Sequence, residues 1–242
     1  METKQIIINA FAINNIPITE AQADKLNKYY TLLIKYNNMY NLTNITNIYE
    51  AASKHFVDSV FGGALIKNKA RVLDIGCGAG FPSIPLAIMR PDISFVLIDS
   101  VGKKINFVNT VIKELELNNC TAYHTRAQEF CTKQNREAFD YVIARALAPL
   151  NILLELCIPF VKLQGSMLAY KSQNYSNEIS EAQNAFYKLF AKMHSTKSYQ
   201  LIHMDKQNNR EVFLRYIIDI KKTKSTPTTY PRLKNLIKTN PL

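Results

Sequence analysis

Hydrophobic positions along the chain change their spacing once the helical opening ends, and that change predicts the architecture. From Thr19, a suitable helix N-cap, apolar residues recur at Leu26, Tyr29, Tyr30, Leu33 and Ile34, the spacing of an amphipathic helix running to about Tyr36. A second helical run follows near 49–66. From Ala70 onward short apolar strands alternate with helical segments. Strands are expected near 70–75, 94–99, 119–124, 139–144, 165–171, 197–203 and 211–219, and helices near 82–90, 102–117, 149–160 and 176–190. Such alternation with short loops predicts an α/β fold, a mostly parallel sheet with helices on both faces. No internal repeat and no Pro/Gly/Ser-rich linker intervenes. The expected division is a helical extension over 1–66, a sheet core over 67–220 and a basic tail over 221–242.

The first strand carries the most informative chemistry. Arg71-Val72-Leu73-Asp74-Ile75 is an apolar strand ending near an acid, and it empties into Gly76-Cys77-Gly78-Ala79-Gly80-Phe81-Pro82 before a helix. Glycine permits positive φ and close approach of backbone to a ligand, and a helix N-terminus offers free N–H groups. A dinucleotide fingerprint would need G-x-G-x-x-G, but its third glycine position holds Phe81. The spacing G-x-G-x-G with an acid upstream instead resembles the first motif of class I S-adenosylmethionine (AdoMet) methyltransferases. Asp74, Gly76, Gly78, Gly80 and Phe81 are therefore candidate cofactor residues. Asp99 ends the next strand, Ser94-Phe95-Val96-Leu97-Ile98-Asp99, where a carboxylate can accept both hydroxyls of an adenosine ribose or cap the following helix.

Composition narrows the class. Of 242 residues 47% are apolar, enough for one large core, and no apolar run reaches the length of a bilayer span. Residues 1–23 resemble a secretion signal only faintly, since Glu2, Asn9, Asn14 and Asn15 interrupt them, so a cytoplasmic protein is expected. Cys77, Cys120, Cys131 and Cys157 show no C-x-x-C spacing and the histidines are scattered, which suggests neither a metal site nor a disulfide framework. A net charge of +11 points to a polyanionic partner, although abundant Lys, Asn and Ile also suit an AT-rich genome. Lys221, Lys222, Lys224, Arg232, Lys234 and Lys238 fall in an acid-free final stretch, an expected RNA-binding tail.

Several motifs then converge. Asn41-Leu42-Thr43, His55-Phe56-Val57-Asp58-Ser59, the glycine loop, Pro85-Leu86-Ala87-Ile88, Lys103-Lys104-Ile105, Arg145-Ala146, Tyr230-Pro231-Arg232 and Pro241-Leu242 together closely resemble the RsmG (GidB) family of bacterial small-subunit ribosomal RNA methyltransferases, over about 40–242. The resemblance implies a seven-stranded Rossmann-like class I methyltransferase sheet whose last strand is antiparallel. It also implies AdoMet as cofactor, and methylation of guanine N7 at position 527, in the 530 loop of 16S ribosomal RNA. Its cofactor residues fall on Gly76, Phe81, Ala127, Gln128 and Arg145. The chain departs from the family at Gln128, where Glu is usual, at Ser83 and Ser172, where Gly is usual, and at Asn235 and Ile237, which replace a Gly and a Pro. A Gln carbonyl can still accept from an adenine amino group, without charge assistance.

Guanine N7 carries a free lone pair, so its methylation needs no general base, and rate should come from positioning. The chain has no [DN]-P-P-[YF] segment for exocyclic amines and no Pro-Cys nucleophile for pyrimidine C5. Arg145 and Lys171 are the candidates for positioning the guanine O6/N7 edge or a flanking phosphate, and pairing of Arg145 with a carboxylate is the competing role. His55, Asp58 and Ser59 lie within one helical turn, which does not give a hydrolase triad, and they are expected at the seam between extension and core. A monomer acting on the small subunit is expected. A methyltransferase of a protein or small metabolite, and a ribosome-binding relative without catalysis, are the alternatives.

Overall fold

The computed structural model describes residues 2–173 and 175–242. The chain opens with α1 (Glu2–Ile13) and α2 (Glu20–Tyr40), followed by a broken helical run. That run comprises α3 (Ile48–Glu50), a π-helical turn over Ala51–Val57, α4 (Asp58–Val60) and a 3-10 turn over Phe61–Leu65. The core follows as β1 (Arg71–Ile75), α5 (Ser83–Met89), β2 (Ser94–Asp99), α6 (Gly102–Glu114), β3 (Cys120–His124), α7 (Ala127–Phe130), β4 (Phe139–Arg145), α8 (Leu150–Cys157) and β5 (Val161–Lys171). The chain ends through α9 (Tyr175–Glu181), α10 (Gln183–Lys188), β6 (Ala191–Met204), β7 (Arg210–Lys222) and α11 (Lys234–Thr239).

The strands form one seven-stranded sheet in the order β3-β2-β1-β4-β5-β7-β6. β1 to β5 pair in parallel, and β7 runs antiparallel to both β5 and β6. Strand order reverses at β1, whose neighbours are β2 and β4, and ligands of such sheets bind in the crevice outside the carboxyl ends at this reversal. The period-two alternation of each strand decides which side chains serve which layer. Val72, Phe95 and Leu97 join one core with α1, α2, α5 and α6, whereas Leu73, Ile75, Val96 and Ile98 join the other with α8 and α10.

The helical extension has no core apart from the sheet. Ile7 and Phe11 of α1 and Leu26, Tyr29 and Leu33 of α2 are fully buried in the same cluster as Phe81 and Phe107. Burial of each such side chain contributes about 1.5–3 kcal/mol. Helix α2 begins where Thr19 predicts it, with a capping box between Thr19 and Gln22, and runs to Tyr40 before Asn41 caps it in the left-handed conformation. The sequence reading passed over α1, whose buried Ile7, Ala10 and Phe11 share one helix face. Asn14 clamps the extension to the sheet: its side chain donates to the Ile202 carbonyl and accepts from the Ile202 N–H. The basic tail was expected to begin at Lys221, but Lys221 and Lys222 are the last residues of β7.

Candidate functional site

After β1 the chain turns through Gly76 and Gly80 with φ of 73° and 103°, a region that excludes most side chains. A Cβ on Gly76 would lie 2.6 Å from Leu147 Cδ1. The N–H groups of Gly76 and Cys77 donate to the Ile98 carbonyl, and Gly78 N–H donates to Asp99 Oδ2 at 3.0 Å. The other oxygen of Asp99 accepts from Val101 N–H at 2.8 Å, so this carboxylate ties the glycine loop to the residue that leads into α6. Asp99 also faces a cavity of about 290 Å³ at the strand reversal, shared with Gly76, Ala127, Gln128, Leu147 and Ile152.

Asp74 sits deeper, on the opposite face of the sheet from Leu73 and fully buried. Neither of its oxygens nor the neighbouring Ser83 hydroxyl has a partner in hydrogen-bond geometry among the described residues. Burial raises this carboxyl from 3.8 to about 7, against a smaller opposing pull from Ser83 and Arg145. Phe81 does not line the first cavity. It stacks on the His55 ring at 4.2 Å and packs against Tyr29, whose hydroxyl donates to the Ala79 carbonyl. Burial pulls the His55 imidazole down to about 3, and its Nε2 lies 2.9 Å from the Thr43 hydroxyl.

A second cavity, of about 630 Å³, adjoins the first along Leu147 and Ala148. Lys54, Arg145, Lys171 and Arg215 line it together with Asp58 and Glu178. Arg145 therefore faces this second cavity, beside the one that holds Gln128. Its Nη1 donates to Asp58 Oδ2 at 2.9 Å and to the Lys54 carbonyl, with the guanidinium 5.4 Å from the Phe81 ring centre. Asp58 is the hub: Tyr199 donates to its Oδ1 at 3.0 Å and Arg215 Nε lies 3.7 Å from the same atom. The π-helical turn ends one residue before Asp58, so this carboxylate and His55 share the cavity wall where the extension meets the core. Ser59 lies inside the same seam, its carbonyl accepting from Tyr170.

The basic tail divides. Lys222 is fully buried, ion-paired to Glu137 at 2.7 Å and bonded to the Ile158 carbonyl, so it corrects the expectation of a phosphate contact there. Arg232 is corrected likewise: it grips the buried Glu155 with two nitrogens at 2.8 and 2.7 Å, fixing the chain where it crosses α8. Lys224 is exposed and Lys221 half-buried. Lys234 and Lys238, expected on RNA, lie with Ile237 on the rim of the first cavity through α11, an element the sequence reading did not anticipate. Leu147, Asp58 and Glu178 were also missed as site residues. Topology alone could have suggested Leu147, since it follows the strand beside β1 at the reversal.

A family model described as rRNA small subunit methyltransferase G matches residues 22–208. This chain belongs to that family. It is 39% identical over 238 residues to the ribosomal RNA small subunit methyltransferase G of Streptococcus pneumoniae serotype 19F (strain G54), covering 97% of both chains. To the protein of the same name from Streptococcus sanguinis (strain SK36) it is 39% identical, over 99% of this chain and all of the other. Among solved structures, precorrin-6y C5,15-methyltransferase from Geobacter metallireducens shares the fold at a TM-score of 0.53 and 14% identity, over 76% of this chain and 92% of that one. M. jannaschii TYW2 in complex with AdoMet also shares it, at a TM-score of 0.53 and 17% identity, over 69% and 76%. Family membership makes this chain a small subunit ribosomal RNA methyltransferase, and the fold it shares with TYW2 holds AdoMet there. The first cavity fits AdoMet: Gly76, where a Cβ would crowd Leu147, a carboxylate at its edge, a side-chain amide and apolar walls from Ile98, Ile152 and Leu156.

Proposed function

We propose that this chain methylates guanine N7 in 16S ribosomal RNA, at the position that its family resemblance implies, acting in the cytoplasm as a monomer. AdoMet-dependent methylation of ribosomal RNA follows from family membership; the base, the atom and the single-chain unit are the proposed part. One observation carries the reading: a glycine-cradled cavity and a cation-lined cavity, both built from one chain, meet at Leu147 and Ala148 where strand order reverses.

In the first cavity Asp99 would accept the ribose hydroxyls beside Gly76, and Gln128 would meet the adenine edge beside Ala127; Asp74, Gly78 and Gly80 are not among its lining residues and would act through the shape of the loop. When bound, AdoMet supplies a sulfonium methyl that an in-line nucleophile can take. Guanine N7 has a lone pair in the plane of the ring, so no residue need remove a proton. The chain's task is to hold the base, and such orientation is worth up to about 7–11 kcal/mol in well-aligned cases. Arg145, fixed by Asp58, and Lys171 are placed to hold the base or its phosphate. Phe81 and His55 form the stacked wall behind Arg145.

Incubation with labelled AdoMet and unmethylated small subunits should place the label on N7 of one guanine in 16S RNA. Label on another atom, or on ribosomal protein alone, would overturn the reading.

A further inference from the structure

Glu178, on α9, lines the cation-lined cavity. Its Oε2 accepts from Lys171 Nζ at 2.5 Å and from Leu150 N–H at 2.8 Å, while Oε1 has no hydrogen-bond partner among the described residues. Lys171 spends a second N–H on the Ala148 carbonyl at 3.1 Å. An ammonium has three N–H donors, so the pair can offer the cavity one donor from Lys171 and one anionic acceptor from Glu178. Ala148 also lines the cofactor cavity, so its carbonyl holds the ammonium at the partition, and the carboxylate is bound to that ammonium and to Leu150 N–H.

We infer that Glu178 reads the Watson–Crick edge of the target guanine, a specificity role that rests on the guanine-N7 function proposed above. A purine with N7 turned toward the partition presents its 6-position next and positions 1 and 2 farther away. Guanine then offers O6 to the ammonium and N1–H with N2–H to the carboxylate. Adenine would set an amino donor against the ammonium and leave the carboxylate facing N1, an acceptor. A site whose buried polar groups go unpaired with the wrong substrate rejects it strongly.

The same carboxylate favours the reaction. As N7 gains the methyl group the purine becomes cationic, and N1–H and N2–H become stronger donors. A hydrogen bond to an anion at that edge therefore strengthens on the way to the transition state, which raises kcat beyond tightening binding.

Small subunits reconstituted with either guanosine or inosine at the target position provide the test, inosine lacking only the 2-amino group. With the wild-type chain, inosine should lower kcat/KM by about tenfold to a hundredfold, the scale of one hydrogen bond to a charged group. Glu178→Ala should bring the guanosine-to-inosine ratio close to one. Glu178→Gln keeps the side chain's size and an acceptor, and should lower kcat on guanosine more than it raises KM. AdoMet affinity and the melting temperature of the variants report folding, and if the Ala variant is unstable Glu178→Leu, which fills the space without an acceptor, supplies the ratio. A folded Ala or Leu variant that keeps the wild-type ratio, or a wild-type chain indifferent to inosine, overturns the assignment and leaves N7 methylation standing. No transfer to guanosine subunits by the wild-type chain overturns the function and this inference together.

Discussion

Asp74 is fully buried at the end of β1, its carboxyl raised to about 7 by lost hydration and its oxygens without partners among the described residues. Between pH 3.8 and about 7 the unfolded chain ionises this group while the folded chain keeps its proton, so stability falls as pH rises through that window. Asp74→Asn removes the titration. Its stability advantage in the cofactor-free protein should grow from pH 4 to pH 7, by on the order of 4 kcal/mol, and thermal unfolding at the two pH values measures it; an advantage that does not change with pH would show that Asp74 ionises freely. At Asp99 both oxygens already hold backbone N–H groups of the loop and the α6 entry. Asp99→Ala should weaken AdoMet binding by roughly 1.5–3 kcal/mol, the worth of a charged hydrogen bond. Calorimetry on the folded variant checks this, and unchanged affinity would leave Asp99 with its loop-pinning role alone.

Among elements, α11 binds the tail to function. It reaches the first cavity because Arg232 grips Glu155 of α8 and Leu242 packs into the core cluster of that face. Removing one partner of a buried ion pair strands a charge, at about 3–5 kcal/mol. Arg232→Ala should therefore lower stability by that order and also weaken AdoMet binding, because Lys234, Ile237 and Lys238 lose their seat on the rim. The sequence alone suggests instead a single basic tail, Lys221 to Lys238, that follows RNA. Thermal unfolding and calorimetry on this single variant decide between the two pictures, since a free tail predicts no change in either.

For the whole molecule, the 30 Lys and Arg side chains overstate the cations available to RNA, because Lys222 and Arg232 are held in ion pairs within the fold, pairs that leave the net charge of +11 unchanged. Arg215, about a third exposed on the cation-lined cavity, is placed to meet phosphate. Arg215→Ala should reduce the slope of log K for small-subunit binding against log salt by roughly 0.7, the value for one single-strand phosphate contact. Lys222→Ala should lower stability and leave that slope unchanged. Filter binding across a salt series separates them, and equal slopes for the two variants would remove Arg215 from the RNA interface.

The strands, the glycine loop and the capped start of α2 were legible in the sequence because each is governed by local rules: alternation at period two, positive φ at glycine, a Thr-Gln capping pair. The predicted strand centres all fall within the observed strands, although β6 and β7 run longer than their apolar stretches suggest, since half of a two-stranded antiparallel extension can face solvent. The run over 49–66 reads as one helix, yet it breaks at the π-helical turn where His55, Asp58 and Ser59 meet β4, β5 and β6. What the sequence could not disclose is which charges neutralise each other. Lys222 and Glu137, Arg232 and Glu155, and Arg145 and Asp58 pair at sequence separations of 77 or more, distances over which no local pattern operates. Only the packing of the sheet and its helices brings them together, and it thereby decides which cations remain for the substrate.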